Sequence, residues 1–220
     1  MTIDEIIYLL GKEYGIPQWK RRSDPLSELV MTILSQNTSD VNSHRAFSSL
    51  LSAFGSWDRV AVAESDEIAA AISCGGLSRM KAPRIKAVLE EILNGSGSPD
   101  LGFLSELPLH EARAWLQALP GVGPKTASCV LLFSLGRPAL PVDTHVYRVS
   151  SRLGLIDQGI SPARAQQQLE GLLPADAIYQ FHLNMLAHGR RVCKAQRPRC
   201  HGCVLRGGCS YWKGSDLSNW

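Results

Sequence analysis

The sequence lacks the features that mark secreted and membrane proteins. Its first ten residues carry acids where a signal peptide carries basic residues, and no apolar run approaches the ~18 residues of a membrane span. Glycine and proline are close to average abundance, and no repeat or low-complexity tract is evident. We therefore expect a cytoplasmic globular protein, which at 220 residues can fold without disulfides.

Acidic residues are missing from Ala177 to Ser215, although this segment holds seven basic residues. The segment therefore carries +7, and because the whole chain carries +3, the remainder is at −4. Positive charge concentrated in this way suits a polyanion such as DNA, although a basic stretch can also be a solvated face.

The alternation of apolar and polar residues that marks strands is also missing, and we predict an all-α fold. A capping box at Thr2 and Glu5 starts a first helix that stops at Gly15, and Asp24-Pro25 starts a second. The apolar stripe of this second helix comprises Leu26, Leu29, Val30, Ile33 and Leu34. Further helices are predicted near 40–53, 65–74, 78–94, 109–118, 124–135, 145–153, 161–172 and 174–188, with a loop at 95–99 and a stop at Gly189.

Four of the six cysteines lie within seventeen residues. They are Cys193, Cys200, Cys203 and Cys209, spaced as C-x6-C-x2-C-x5-C. In a chain without secretory features this density indicates a metal site rather than disulfides. Zinc sites usually contain two short Cys-x2–4-Cys pairs, and wider spacings suit a larger object such as an iron–sulfur cluster. Cys74 and Cys129 stand alone in helical surroundings, where a buried apolar role is expected.

Three cations, Lys194, Arg197 and Arg199, occupy the gap between the first two of these cysteines. A loop tied at both ends by a metal site would present them rigidly, so little ordering entropy would be lost when they meet phosphates. They could also offset the negative charge of the thiolates. The two interpretations are compatible.

A pair of glycines separates two predicted helices in the segment LPGVGPKTA at residues 119–127. Gly121 and Gly123 permit a tight hairpin with outward backbone N–H groups, and Pro124 suits the first position of the next helix. N–H groups at a helix start bind an anion such as a phosphodiester without regard to base sequence. An ordinary helix–helix turn would carry the same pattern.

Lys125 falls in the first turn of the helix after this hairpin, where the helix dipole disfavours a positive charge. That field, together with desolvation, favours the neutral amine, which is nucleophilic and can form a Schiff base. Eighteen residues later, Asp143 is placed to cap a helix and could stabilise positive charge developing on a sugar. A solvated lysine and a purely capping aspartate are the simpler alternatives.

Together these segments resemble the endonuclease III family, helix-hairpin-helix DNA glycosylases with a [4Fe-4S] cluster. The resemblance runs from about Asp24 to Trp212 and rests on three segments in this order: LPGVGPKTA, VDTHVYRVSSRLGL and the four-cysteine segment. It implies a two-lobed all-α fold with DNA in the groove and the damaged base flipped out. The implied domains are a six-helix lobe at 24–136, a cluster lobe from 1–23 plus 137–212, and a tail at 213–220.

The resemblance also implies residue roles. Lys125 would be the nucleophile, Asp143 the catalytic carboxylate and the four cysteines the ligands of the [4Fe-4S] cluster. Gln36 would fill the space left by the flipped nucleotide and Leu77 would intercalate opposite it, although Gln36 could simply end a helix and Leu77 could be core. The expected phosphate contacts are Gly121, Gly123, Lys194, Arg197 and Arg199.

The implied activity is removal of oxidised pyrimidines from duplex DNA, followed by nicking through a lysine Schiff base and β-elimination. We expect a monomer that binds double-stranded DNA containing damaged bases or abasic sites. The alternatives are a glycosylase for uracil or thymine opposite guanine, a non-catalytic DNA-binding protein and a cluster-bearing redox sensor. Pro124, Asn37 and Ser39 depart from the family's common residues, which leaves the preferred lesion open.

Overall fold

The computed structural model describes residues 1–214, and its regular elements there are all helices, which confirms the predicted all-α fold. The α-helices of this part are α1 (Ile3–Tyr14), α2 (Pro25–Leu34), α3 (Asp40–Phe54), α4 (Trp57–Val62), α5 (Ser65–Ala71), α6 (Ser78–Ser96), α7 (Leu109–Ala118), α8 (Pro124–Leu135), α9 (Thr144–Leu153), α10 (Pro162–Leu172), α11 (Ile178–Arg191) and α12 (Ser210–Lys213). Short 3-10 helices lie at Ser73–Gly75, Gly102–Ser105, Ala175–Ala177, Cys200–Gly202 and Arg206–Gly208. Most of the expected tail, residues 215–220, falls outside the described residues. None of the described helices is both long and apolar enough to cross a membrane.

The chain divides into two compact units. One is the continuous segment Arg21–Arg137, which contains α2 to α8. The other combines Met1–Lys20 with the chain from Pro138 onward and contains α1 and α9 to α12.

The core of the first unit forms where α2 packs against α8. The predicted stripe on α2 is buried as expected: Leu29, Val30 and Ile33 are fully inaccessible. α8 is buried from Thr126 to Ser134, so this helix lies within the unit rather than on its surface. Truncating one of these leucines or isoleucines to alanine should cost about 2–5 kcal/mol.

A buried carboxylate connects the start of α2 to the end of α8. Glu28 is 2% exposed and accepts hydrogen bonds from Nη1 of Arg22 at 3.0 Å and from Oγ of Ser23 at 3.1 Å. The Arg22 guanidinium lies 3.6 Å from the ring centre of Phe133, and the Arg22 amide donates to the Phe133 carbonyl. Burial raises the pKa of Glu28, and Arg22 opposes this rise.

In the second unit, α11 packs against both α1 and α9. Their buried faces meet through apolar side chains that are at most 1% exposed, among them Leu10, Val149, Phe181 and Met185. α9 begins at the capping residue Asp143, and α11 ends next to the four-cysteine segment. The core of this unit therefore positions Asp143 and the four-cysteine segment, which are its candidate catalytic and metal-binding parts.

Several predicted boundaries are wrong. α6 continues through Gly95 to Ser96 and stops at Gly97, whose φ of 71° is left-handed, so the loop starts later than expected. α11 runs past Gly189 to Arg191, because this glycine serves close packing: a Cβ there would lie 2.8 Å from Cβ of His145. Cys129 is buried as expected, whereas Cys74 is half-exposed.

Candidate functional site

The hairpin at 119–127 forms a tight turn whose backbone is open at Gly123. Gly121 has a φ of 72°, and the amide of Val122 donates to the carbonyl of Leu119 at 3.1 Å. Leu119 and Val122 are buried and anchor the turn, while a Cβ on Gly123 would meet nothing within 4 Å. Gly123 caps α8 without a side chain, so the N–H groups of the first turn are available to an anion.

Lys125 lies in the first turn of α8, as the sequence predicts. Its side chain is exposed and makes no hydrogen bond or salt bridge with residues 1–214. The expected desolvation is therefore not supplied by the protein alone. Removal of water from Nζ would have to come from bound DNA covering the hairpin.

The two candidate DNA-inserting residues both lie in turns with left-handed backbone. Gln36 follows the end of α2 and precedes Asn37, whose φ is 53°. Leu77 itself has a φ of 52° and is the N-cap residue directly before α6. It is 47% exposed, which shows that the alternative role as a core residue is wrong. For Leu this backbone is strained, and such strain concentrates at functional sites.

Two residues that the sequence did not single out hold these turns. Lys81 is 3% exposed, and its Nζ donates to the carbonyls of Leu34 at 2.7 Å and Gly75 at 3.1 Å. Arg84, one turn later on α6, donates from Nη1 to Oε1 of Gln36 at 2.7 Å. A signal was present for Lys81, because it lies at helical spacing with Ile85, Val88 and Ile92, which are fully buried.

In the second unit, Asp143 is half-buried and caps α9, as predicted. Its Oδ1 accepts from the amides of His145 at 2.9 Å and Val146 at 2.7 Å. Both bonds go to Oδ1, so Oδ2 has no hydrogen-bond partner among the described residues. Asp143 therefore caps α9 with Oδ1, while its Oδ2 remains available to a ligand.

Arg148 connects the start of α9 to the cysteine segment. Its guanidinium lies 3.0 Å from Nδ1 of His145 and donates to the carbonyls of Gly189 at 2.9 Å and Cys193 at 3.0 Å. The close approach of α9 to α11 at Gly189 makes these bonds possible. The first turn of α9 and the first cysteine of the segment are thus fixed to each other.

Cys193, Cys200, Cys203 and Cys209 all line one small cavity. Yet no three His, Cys, Asp or Glu side chains in residues 1–214 come close enough to hold a single metal ion. Thiolates on one zinc lie within about 4 Å of one another. A set of four cysteine thiols around one pocket fits an iron–sulfur cluster by the chemistry of its ligands.

His188 lies against the cysteine cavity, with one ring nitrogen near Tyr14 and the other near Cys203. Its Nδ1 is 2.9 Å from the hydroxyl of Tyr14, and its Nε2 is 3.5 Å from Sγ of Cys203. Burial lowers the pKa of His188 to about 4, so the ring carries one N–H at neutral pH. Burial likewise raises the pKa of Cys203 to about 11. If the Tyr14 hydroxyl donates to Nδ1, the single ring N–H points from Nε2 towards Cys203.

The three cations of the cysteine segment are exposed, as a phosphate-binding role requires. Arg152 of α9 holds the backbone beneath them by donating to the carbonyls of Lys194 at 2.7 Å and Ala195 at 3.0 Å. Arg197 has a left-handed φ of 48°. The loop is therefore ordered by the protein through an arginine that the sequence did not single out.

A protein-family model for the HhH-GPD superfamily of base excision DNA repair proteins matches residues 30–175. The chain belongs to that family. Endonuclease III of Thermotoga maritima is similar at 33% identity over 211 residues, which are 96% of this chain and 93% of the relative. A longer relative from Arabidopsis thaliana is 39% identical over 168 residues, which are 76% of this chain but only 57% of that protein.

The fold agrees with these matches. A solved structure of a trapped covalent intermediate between endonuclease III and DNA is similar with a TM-score of 0.81 and 29% identity, covering 97% of this chain and 98% of that chain. The expected endonuclease III resemblance and the glycosylase and lyase class of base excision repair are thus confirmed. Relatives of this kind typically carry a [4Fe-4S] cluster.

Proposed function

We propose that this HhH-GPD protein removes oxidised pyrimidines from duplex DNA and then nicks the strand through a Schiff base on Lys125. The observation that carries the proposal is the position of Lys125: an exposed amine in the first turn of a helix whose N–H groups are open to a phosphate. The similar endonuclease III structure is a covalent intermediate with DNA, which agrees with a nucleophilic amine.

In the proposed reaction, neutral Nζ of Lys125 forms a bond to C1′ while the bond from C1′ to the base breaks. The base leaves with the bonding electrons and takes up a proton, and opening of the sugar gives the protonated imine. Loss of a proton from C2′ then expels the 3′ phosphate and breaks the strand. Asp143, through its available Oδ2, stabilises the positive charge on the sugar as the base departs.

We propose that DNA binding depends on contacts with phosphates. Extrusion of the damaged base is proposed to depend on two side chains. The backbone at Gly121 and Gly123 and the exposed cations Lys194, Arg197 and Arg199 contact phosphates. Gln36 occupies the space left by the flipped nucleotide, and Leu77 enters the opposite strand. The exposure of Leu77 and the left-handed backbone of its turn support this role. The DNA is double-stranded, with damaged bases or abasic sites, and the protein acts as a monomer.

The four cysteines are proposed to hold a [4Fe-4S] cluster. When bound, the cluster would fix both ends of the loop between Cys193 and Cys200, which contains the three cations. Iron and acid-labile sulfide in equal amounts, with a brown colour that iron chelation removes, would support this assignment. Zinc without sulfide would contradict it.

A substrate panel tests the proposed activity. Duplexes carrying an oxidised pyrimidine, a guanine–thymine pair or a guanine–uracil pair are compared for base release and for strand breaks. We expect release and nicking on the oxidised pyrimidine, with nicking lost in Lys125→Gln. Release from the mismatches alone would instead identify a mismatch glycosylase, and DNA binding without release from any duplex would identify a non-catalytic protein.

A further inference from the structure

Lys81 is a buried lysine without a carboxylate partner among residues 1–214. Its Nζ donates to the carbonyl of Leu34, which ends α2, and to the carbonyl of Gly75, which ends a 3-10 helix. Carbonyls at helix ends have no partner within their own helix and carry partial negative charge. They compensate the buried ammonium in place of a carboxylate, although burial still lowers the pKa of Lys81.

The two carbonyls that accept from Lys81 occupy equivalent positions relative to the candidate DNA-inserting residues. Leu34 lies two residues before Gln36, and Gly75 lies two residues before Leu77. One ammonium group therefore joins the two turns that carry the candidate DNA-inserting side chains. The turns are also close at another point, since a Cβ on Gly76 would lie 4.0 Å from Oγ1 of Thr38.

Both turns depend on left-handed backbone, at Asn37 and at Leu77. A leucine in this conformation is strained and persists only where the surroundings hold it. Gly75 is held from the other side as well, because a Cβ there would lie 2.8 Å from Cβ of Ala46 on α3. The hydrogen bonds of Lys81 act directly on the carbonyls that precede the strained residues.

We propose that Lys81 is a positioning residue for strand separation, fixing the spacing of the two turns so that Gln36 and Leu77 enter the DNA together. The inference rests on the roles that Gln36 and Leu77 have in the proposed function. Lys81 itself touches no DNA. Its effect is confined to steps that require the duplex to open.

The test compares a step that needs strand separation with one that does not. Lys81→Met keeps the length and apolar stem of the side chain but has no N–H to donate. Single-turnover base release from a duplex lesion should fall on the order of 10- to 100-fold, as expected for misplaced groups. Nicking of a single-stranded oligonucleotide with a preformed abasic site needs Lys125 but no separation, and should stay within about twofold.

Lys86→Met is the matched control. Lys86 lies on the same helix, is half-exposed and has Nζ 3.9 Å from carboxylate oxygens of Glu64 and Glu90. Its loss should leave both assays within about twofold of the parent protein. If Lys81→Met does not fold, Lys81→Gln, which retains an N–H donor, is measured in its place and should show the same selective loss in weaker form.

A spectroscopic signal separates positioning from general damage. With 2-aminopurine next to the lesion, binding of the parent protein should raise the fluorescence as the base unstacks, and Lys81→Met should lose most of this rise. Equal losses in duplex release and single-strand nicking, or no loss in either, would overturn the inference. The double variant Gln36→Ala and Leu77→Ala checks the underlying roles: if it keeps the signal, those roles are wrong, and if it alone loses the signal, only the inference about Lys81 is wrong.

Discussion

Arg84 donates a hydrogen bond from Nη1 to Oε1 of Gln36, and the same side chain covers the backbone of Gly121. A Cβ on Gly121 would lie 2.5 Å from Nε of Arg84. One arginine therefore links the proposed nucleotide-replacing side chain to the hairpin that precedes Lys125. This contact explains why a glycine is needed at position 121 beyond the demands of the turn itself.

The two hairpin glycines should respond differently to alanine. Gly121→Ala combines a left-handed φ with a clash against Arg84 and should lower the free energy of unfolding by about 1–3 kcal/mol. Gly123→Ala has open space and an ordinary φ, so its cost should stay within about 0.5 kcal/mol, yet the new methyl group should weaken DNA binding. Urea denaturation and equilibrium binding measure both, and equal stability losses would contradict the assignment.

Two substitutions should separate the capping role of Asp143 from its proposed catalytic role. Asn caps a helix about as well as Asp, so Asp143→Asn should change the unfolding free energy by no more than about 0.5 kcal/mol. Without the charge near the sugar, base release should still fall on the order of 100-fold or more. Asp143→Ala loses the cap too and should cost a further ~1 kcal/mol of stability. Full activity in Asp143→Asn would leave capping as the only role.

The buried Glu28 predicts a specific dependence of stability on pH. Because its pKa is raised by folding, its contribution is fully present below the unfolded value of about 4.3 and is lost as the pH rises through the folded value. The parent protein should therefore lose stability relative to Glu28→Gln as the pH increases from about 4 to neutrality. Denaturation midpoints of the two proteins across this range measure the difference.

Arg197 should contribute to DNA binding through charge alone. Arg197→Gly removes the cation and keeps the left-handed backbone free of strain. Affinity should fall to a similar extent for all DNA sequences, and the slope of log K against log salt should become shallower by about 1. Arg164→Ala on α10, also exposed, is the control and should leave the slope unchanged. A slope that does not change in Arg197→Gly would remove this residue from the phosphate contacts.

Local patterns predicted most of the fold because they depend on neighbouring residues. The stripe on α2 and the Asp143 cap are present in the structure as expected. The short α4 was missed, because six residues show too little periodicity. Gly189 was misassigned as a helix end, since only packing against His145 reveals why a glycine is there.

The residues that support the site could not be predicted from the sequence, because their contacts are with residues distant in the chain. Lys81, Arg84 and Arg152 act by donating to carbonyls or amides that are distant in sequence, the separation from Lys81 to Leu34 being 47 residues. The solvent exposure of a side chain could also be determined only from the structure. Leu77 could be placed in a core or on a surface from its sequence, and only the left-handed turn before α6 exposes it.

Borohydride trapping tests most directly whether Lys125 forms a covalent imine with deoxyribose. The parent protein is incubated with an oxidised-pyrimidine duplex and borohydride, and the cross-linked peptide is mapped by mass spectrometry. We predict one adduct, on Nζ of Lys125, that is absent from Lys125→Gln and retained in Lys86→Gln. An adduct of equal yield in Lys125→Gln, or one mapped to another residue, would contradict the account.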